Sequence, residues 1–441
     1  MLKYILKRLG LAVVVLLGVS LIIYFLVRLM PANYLETKFS AQIQQGTFTT
    51  EDLDNFKKKY GLYMPDAYLD ITLEGGKHDG AVLRRDVRSD DYSDLENGTL
   101  QPHEFYAGTY FLDDSLKLEL KKDKENLNWT LYEVTNEVAT QISSGTYEAV
   151  NGKVTLRSLS GDFTCDMAYS EAPFIDKFSS ILGGYFSWLG NMLRGDMGES
   201  FLYQLPVSRV ISEHMWISFA ISLVALVFQF LIAIPLGIFS ATRQYSIADY
   251  SVTIITMMGI SLPSFFFAAL LIRVFSGWLG WFPSSGLVSA MGSTEGFAYF
   301  LDMAHHLVLP MIVLVVLSIG GLMRYTRTNM LEVLNSDYIR TARSKGLSEK
   351  KVIYVHAFRN TMIPLMTLLA GILPSLFGGA MITEEVFSIE GIGRLAYRAL
   401  QQGDVPFIMG YNMFLAVLTV IGTLLSDLMY AVVDPRVKLS K

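Results

Sequence analysis

The chain has 441 residues, 51% of them hydrophobic, and a positive mean hydropathy, which is typical of a membrane protein with a sizeable soluble part. Its single cysteine, Cys165, excludes an intramolecular disulfide and any cysteine-based metal cluster, and we expect it to be small and buried. The net charge of −5 hides an asymmetry, because residues 66–172 hold 10 Lys+Arg against 21 Asp+Glu and the remainder holds 26 against 20. An acidic segment, typical of a solvated exterior domain, therefore interrupts a basic membrane protein.

The chain begins with three basic residues, Lys3, Lys7 and Arg8, followed by an apolar run from Leu9 to Leu29 that is long enough to span a bilayer. A signal peptide has the same pattern, but this run is long for a signal core and no small-x-small cleavage site follows it. We predict a retained first transmembrane helix within residues 1–32.

Residues 33–65 are predicted to be an extracellular segment containing a short surface helix at Glu51–Lys59. Residues 66–172 are predicted to form an inserted, β-rich extracellular domain. In this region Leu116, Leu118 and Leu120 alternate with charged residues, which indicates a half-buried strand, and Asn151-Gly152 is a strong two-residue hairpin signal. No catalytic constellation stands out in this domain, so we expect a structural or docking role.

Five further apolar segments predict transmembrane helices, after an extracellular segment at 173–212. The segments are Met215–Ser240, Tyr250–Phe275, His305–Met323, Thr361–Thr383 and Phe407–Val433. The predicted fold is therefore mostly α: a polytopic membrane protein with six transmembrane helices and an inserted β-rich domain. Residues 213–433 form its membrane core, and residues 434–441 form a tail.

Charge predicts the orientation of the chain. Residues 281–304 contain no Lys or Arg, whereas residues 324–359 contain eight. Because cytoplasmic loops carry the excess of Lys and Arg, we expect residues 324–359 and both termini to be cytoplasmic and residues 33–212 to be outside.

A polar loop, residues 335–363, joins the fourth and fifth apolar segments and is predicted to form a helix, a tight turn and a second helix. Ser336 is a plausible N-cap, Asp337 suits the positive end of the first helix, and Arg343 falls in its last turn. Gly346 follows where a left-handed residue is wanted, and Ser348 can cap the second helix.

Residues 338–348 read Tyr-Ile-Arg-Thr-Ala-Arg-Ser-Lys-Gly-Leu-Ser. This stretch resembles the coupling loop of ABC-importer permeases, in the form seen in the peptide and nickel branch. In the general pattern of Glu-Ala-Ala, three residues and Gly, Ala342 and Gly346 are in register, while Arg340 and Thr341 stand in place of the Glu and the first Ala.

Smaller matches to the same family occur in order along residues 1–65 and 173–441, so residues 66–172 are an insertion relative to the family plan. The matches are Gly195-Asp196-Met197-Gly198 with Pro206-Val207, Ser261-Leu262-Pro263-Ser264-Phe265, His306-Leu307 with Leu309-Pro310, Gly391-Ile392-Gly393, and Asp434-Pro435-Arg436. Each match alone is weak, because Gly and Pro commonly mark helix ends.

The resemblance implies a type I ABC importer permease fold in a bacterial plasma membrane. It implies three kinds of partner besides membrane lipid: a second homologous permease subunit, two cytoplasmic ATP-binding subunits, and an extracellular peptide-binding protein. Nucleic acid is not expected. It also implies that the ATPases dock on residues in the loop, namely Asp337, Tyr338, Arg340, Thr341, Ala342, Arg343, Lys345, Gly346 and Leu347.

We expect no catalytic residue, metal site or cofactor in this chain. It contains no Gly-x-x-x-x-Gly-Lys-Ser/Thr phosphate loop, so ATP and Mg²⁺ would be used by the partner ATPases. Ionisable residues are scarce within the spans, and Arg273 and Asp427 fall near helix ends, which disfavours a proton- or sodium-coupled transporter. Candidates for lining a pathway are Met257, Met258, Ser261 and Met311, although Met in spans is more often packing.

The leading hypothesis is thus a permease subunit of an oligopeptide or dipeptide importer. Two alternatives stay open: a permease for nickel or another small solute, and a membrane-anchored extracellular receptor whose β-rich domain does the work. For the insertion, the hypothesis is docking of the binding protein or of the partner permease.

Overall fold

A computed structural model describes residues 2–28, 39, 45, 50–74, 78–112, 115–123, 126–135, 138–150, 153–158, 163–290, 292 and 295–433. The predicted tail at 434–441 and most of the segment at 33–49 lie outside these residues. The chain divides into two compact units, one made of Met1–Tyr34 with Leu189–Lys441 and the other of Leu35–Trp188.

Fifteen α-helices, two π-helices and eight strands are defined within the described residues. The helices are α1 (Leu2–Arg28), α2 (Thr50–Lys59), α3 (Ser89–Glu96), α4 (Pro102–Tyr106), α5 (Phe174–Leu193), α6 (Val207–Thr242), α7 (Ile247–Ser261), α8 (Ser264–Leu271), α9 (Gly296–Leu334), α10 (Asp337–Ser344), α11 (Glu349–Lys351), α12 (Phe358–Gly378), α13 (Met381–Val386), α14 (Ile392–Gln402) and α15 (Val405–Val433). The strands are β1 (Ala67–Glu74), β2 (Val82–Val87), β3 (Gly108–Leu112), β4 (Leu116–Asp123), β5 (Asn126–Thr135), β6 (Val138–Val150), β7 (Lys153–Ser158) and β8 (Phe163–Glu171).

The β-rich unit is a closed antiparallel barrel in which each strand pairs with its neighbour in sequence and β8 returns to β1. Its two ends meet, because Ala67 pairs with Glu171 and the Ala172 amide donates to the Asp66 carbonyl at 2.9 Å. The residues predicted to be β-rich, 66–172, hold all eight strands. The β4–β5 hairpin closes at Asp123 and Asn126, and the β6–β7 hairpin closes at Val150 and Lys153. The predicted turn Asn151-Gly152 lies between β6 and β7 but outside the described residues.

The barrel interior is filled by side chains, as the period-2 alternation predicts. Leu118, Leu120, Tyr110 and Leu156 are buried in one cluster, and the prediction for Cys165 is confirmed because it belongs to the same cluster with no exposed surface. The alternating charged residues of β4 lie on the outer face, where the Glu119 carboxylate is hydrogen-bonded by both neighbouring lysines and therefore has a lowered pKa.

The other unit is helical, and four of its described helices are long and apolar enough to cross a membrane. They provide the segments Arg8–Val27, Val207–Thr242, Gly296–Leu334 and Val405–Leu425. A fifth candidate is the pair α7 and α8, which continues as a π-helix over Ile272–Trp278 and is bent by 100°. The predicted fifth span falls on α12, several of whose side chains lie outside the described residues, so the count of six stays a prediction.

The predicted third span is not one straight helix. Leu262 adopts an extended conformation between α7 and α8, with φ −80° and ψ 130°. The cause is Pro263, which lacks an amide hydrogen and disfavours helical geometry in the residue before it.

Two helices of this unit, α6 and α9, approach closely because small residues line their contact. A Cβ placed on Gly237 of α6 would lie 2.6 Å from the Cβ of Thr326 on α9. Nearby, Ala233 packs with Ile319 and Met323 in one buried cluster. Close approach through small residues is how membrane helices gain van der Waals contact when lipid offers no hydrophobic drive between them.

Candidate coupling site

The predicted loop forms an elbow, defined here as residues 336–357, which leaves α9 and leads into α12. Its first helix, α10, begins after Ser336, which has extended geometry at the N-cap position; the Ser336 hydroxyl donates to the Val333 carbonyl at 2.6 Å instead of capping α10. Gly346 follows with φ +75°, the left-handed value that favours glycine. The second helix starts after Ser348 as α11 and continues as a π-helix over Val352–Ala357.

One face of α10 is anchored on the rest of the helical unit. Ile339 and Ala342, three residues apart on one helical face, are both buried. They belong to a cluster with Ile238 and Ala241 at the end of α6 and with Met330 of α9. A displacement of α10 would therefore act directly on the ends of two long helices.

The opposite face of α10 is polar and exposed. It carries Tyr338, whose exposed fraction is 47%, together with Asp337, Arg340 and Thr341. The Arg340 guanidinium lies 3.8 Å from the Asp337 carboxylate, a solvent-exposed contact that leaves both groups accessible. An aromatic ring and a guanidinium on a fixed helix suit contact with another protein.

A salt bridge closes the turn of the elbow. The Arg343 guanidinium donates to both carboxylate oxygens of Glu349, at 2.6 and 3.2 Å. This hydrogen bonding lowers the pKa of the Glu349 carboxyl and raises that of Arg343. The turn residues between them include the exposed Lys345 and the half-buried Leu347. Of the predicted docking residues, Ala342 faces inward, whereas most of the others face outward.

Residues 233–439 match the family described as binding-protein-dependent transport system inner membrane component. The chain is 43% identical over 255 residues to the oligopeptide transport system permease protein AppB of Bacillus subtilis (strain 168), covering 58% of this chain and 79% of that protein. It is 34% identical over 274 residues to the dipeptide transport system permease protein DppB of Escherichia coli (strain K12), covering 58% and 81%.

The chain belongs to this family. The resemblance drawn from the elbow motif is thereby confirmed, and the chain is a transporter permease subunit rather than an enzyme. The matched region contains the whole elbow and the long helices α9 and α15.

The four residues predicted to line a pathway in this permease do not share one environment. Met258, 63% exposed, and Ser261 lie on the surface of α7, and the Ser261 hydroxyl donates to the Met257 carbonyl at 2.9 Å. The Met257 sulfur is contacted by the Arg324 guanidinium. Met311 packs against two apolar clusters. A pathway role stays a prediction for all four, and the packing interpretation fits Met311 best.

Sequence reasoning missed an ion pair near the elbow whose carboxylate is buried. Asp249, in the first turn of α7, receives two hydrogen bonds from Arg327 of α9, at 3.0 and 2.8 Å. Both residues lie at the ends of apolar segments, where charge is expected, so neither stands out alone. The sequence feature that could have identified the pair is the presence of opposite charges at the same end of two adjacent spans.

Two further carboxylates, Glu384 and Asp404, are buried. Glu384 accepts hydrogen bonds from the amides of Ala380 and Arg394, at 2.9 and 3.0 Å. Asp404 accepts from the Leu202 amide at 3.0 Å and from the Ser200 hydroxyl. Glu385, by contrast, is partly exposed and pairs with Arg394 and Arg398 of α14. The two buried carboxylates organise loops by holding backbone amides.

Proposed function

We propose that this chain is the permease subunit of an ATP-driven importer for oligopeptides or dipeptides and forms half of the translocation pore with a second homologous subunit. The substrate class is supported by the names of the relatives, which are oligopeptide and dipeptide permeases. The observation that carries the coupling role is the two-faced elbow, with Ile339 and Ala342 anchored and Tyr338 and Arg340 presented outward.

In this proposal, two cytoplasmic ATP-binding subunits dock, one on each permease, and this chain offers the exposed face of α10. ATP and Mg²⁺ belong to those subunits. Their closure on ATP displaces α10, and because Ile339 and Ala342 pack on Ile238, Ala241 and Met330, the displacement tilts α6 and α9. An extracellular binding protein supplies the peptide from the other side.

The proposal includes six spans in a type I importer arrangement, with both termini cytoplasmic and residues 33–212 outside. The charge bias between residues 281–304 and 324–359 supports this orientation. We further propose that the barrel docks the binding protein or the partner permease. Because its two ends are paired, residues 67–171 can be replaced by a short linker; unchanged uptake and unchanged assembly would count against docking.

The test uses the complex coexpressed with its neighbouring gene products and reconstituted in lipid with the binding protein. We expect peptides to stimulate ATP hydrolysis, and Arg340→Glu to lower that stimulation about tenfold or more, since reversing a charge at a docking face costs on the order of 2 kcal/mol. The matched control is Arg243→Glu, an exposed arginine outside α10 whose guanidinium lies over the Phe239 ring.

Three outcomes would change the proposal. Equal stimulation in both variants would remove α10 as the docking face. Stimulation by a metal ion instead of peptides would keep the architecture and change the substrate. Absence of any associated ATPase would overturn the importer function for this chain.

A further inference from the structure

The Asp249 carboxylate is bonded by four donors from three parts of the helical unit. Its Oδ1 accepts from the Ser240 hydroxyl of α6 and from Arg327 Nε of α9 at 3.0 Å. Its Oδ2 accepts from Arg327 Nη2 at 2.8 Å and from the Tyr245 amide at 3.0 Å. The Asp249 side chain is 3% exposed, so this buried charge is fully matched by hydrogen bonds.

This ion pair lies beside the anchor of the elbow. Ser240 is flanked along α6 by Ile238 and Ala241, which pack against α10. Arg327 precedes Met330, the α9 residue of the same cluster, by one helical turn. The carboxylate thus ties the start of α7 to the two helix ends on which the elbow rests.

Along its length, α7 also fits tightly against α9. A Cβ on Gly320 of α9 would lie 2.5 Å from the Thr256 carbonyl oxygen, and a Cβ on Gly259 of α7 would lie 2.8 Å from the Val316 carbonyl oxygen. These close approaches leave α7 little freedom to slide once its first turn is held. Beyond them the chain bends at Leu262 and Pro263 into α8.

We propose that the Asp249–Arg327 pair is a latch that makes α7 move as one body with the elbow, so that displacement of α10 reaches the bend between α7 and α8. The inference rests on the proposed ATPase docking at α10. Asp249 and Arg327 are positioning residues in it, because they contact the ends of the neighbouring helices and lie outside the docking face of α10. The latch carries motion from the elbow to the bent span.

The uptake experiment measures the amount of peptide transported per ATP hydrolysed in the reconstituted complex. It compares the native protein with variants of the ion pair. We expect Arg327→Met and Asp249→Asn to keep ATPase association and basal hydrolysis while transport per ATP falls on the order of tenfold, the usual size of a coupling between sites. The double variant Asp249→Arg/Arg327→Asp should recover part of the loss. The matched control, Arg243→Met, removes a nearby arginine that is outside the ion pair and should leave the ratio unchanged.

A second measurement does not depend on uptake. Spin labels are placed at Tyr250→Cys on α7 and Ser344→Cys on α10, both exposed positions, while the native Cys165 is buried and stays in place. The label distance should be the same without nucleotide and with ATP bound in the otherwise native complex. In Arg327→Lys, which keeps the charge and loses the two-pronged hydrogen bond, the distance should change or broaden on ATP binding.

The outcomes separate the latch from the docking proposal. A distance that changes on ATP binding in the native complex, or an unchanged transport ratio in Arg327→Met while Arg340→Glu is defective, overturns the latch alone. A normal Arg340→Glu complex overturns the docking face whatever the latch variants do. Recovery in the charge-swapped variant supports the latch, because a purely local loss of packing would not be restored by it.

Discussion

The barrel and the helical unit place their apolar side chains in opposite ways. In the barrel, Leu118 and Tyr110 are completely buried within the domain. In α6, Leu231 is 64% exposed and Val227 is 50% exposed, and several neighbours are similar. The barrel therefore buries most of its large apolar side chains within itself, whereas the helices leave many of theirs exposed on their outer surfaces.

The difference follows from what holds each unit together. A closed barrel pairs its strands around the ring and gathers alternate side chains in one interior. Helices whose outer surface meets lipid gain most from close van der Waals contact, and here that contact occurs at Gly237 and Gly320. The stability of the barrel should thus depend on its large buried side chains. The stability of the helical unit should depend on the glycines that let its helices touch.

The largest expected effect is in the barrel core. Leu118→Ala should destabilise the barrel by about 2–5 kcal/mol, because it removes buried methyl groups and leaves a cavity. Hydrogen–deuterium exchange of β4 and β5 in the purified full chain measures this loss. The comparison variant is Leu231→Ala on the exposed face of α6, which we expect to lower the free energy of unfolding by less than about 1 kcal/mol. Equal losses at the two sites would mean that the contrast in burial does not govern stability.

A smaller effect is expected where two helices touch through glycine. Gly320→Ala should cost about 1–3 kcal/mol, since the added Cβ would press on the Thr256 carbonyl and the Ile260 side chain. The adjacent Gly321 has open space where a Cβ would stand, so Gly321→Ala should be neutral or slightly stabilising. Thermal unfolding in detergent distinguishes them. A Gly320→Ala protein as stable as the native one would show that α7 and α9 are not tightly packed.

The smallest effect is expected at the exposed turn of the elbow. The hydrogen bond from Arg343 lowers the Glu349 pKa below its ordinary 4.5, so the pair stabilises the elbow above that pH and stops doing so as the pH falls through the lowered value. Solvent screening limits this to at most about 1 kcal/mol. Glu349→Gln should therefore speed hydrogen exchange in the elbow at pH 7 by less than about fivefold and have no effect in strong acid. Lys350→Gln is the control, and a loss of the same size in both proteins would contradict the prediction.

Much of the architecture follows from the sequence alone, because the signals are local. Alternation at Leu116, Leu118 and Leu120 has the period of a strand, and long apolar runs have the period and length of membrane helices. The elbow motif is contiguous, so its helix, its left-handed glycine at Gly346 and its family could be recognised before any contact was known. The family follows from the same residues, since they form one unbroken stretch.

Tertiary structure decided everything that depends on residues distant in the chain. Ala342 and Arg340 lie in the same short motif, so their positions in sequence do not tell which of them is covered. Only the fold shows that Ala342 faces this chain's own helices while Arg340 faces outward. Only the fold brings Asp249 to Arg327, which are 78 positions apart, and closes the barrel by pairing Ala67 with Glu171. Local patterns determine which elements form, whereas the burial of a charge or the closing of a sheet is decided by which elements meet in space.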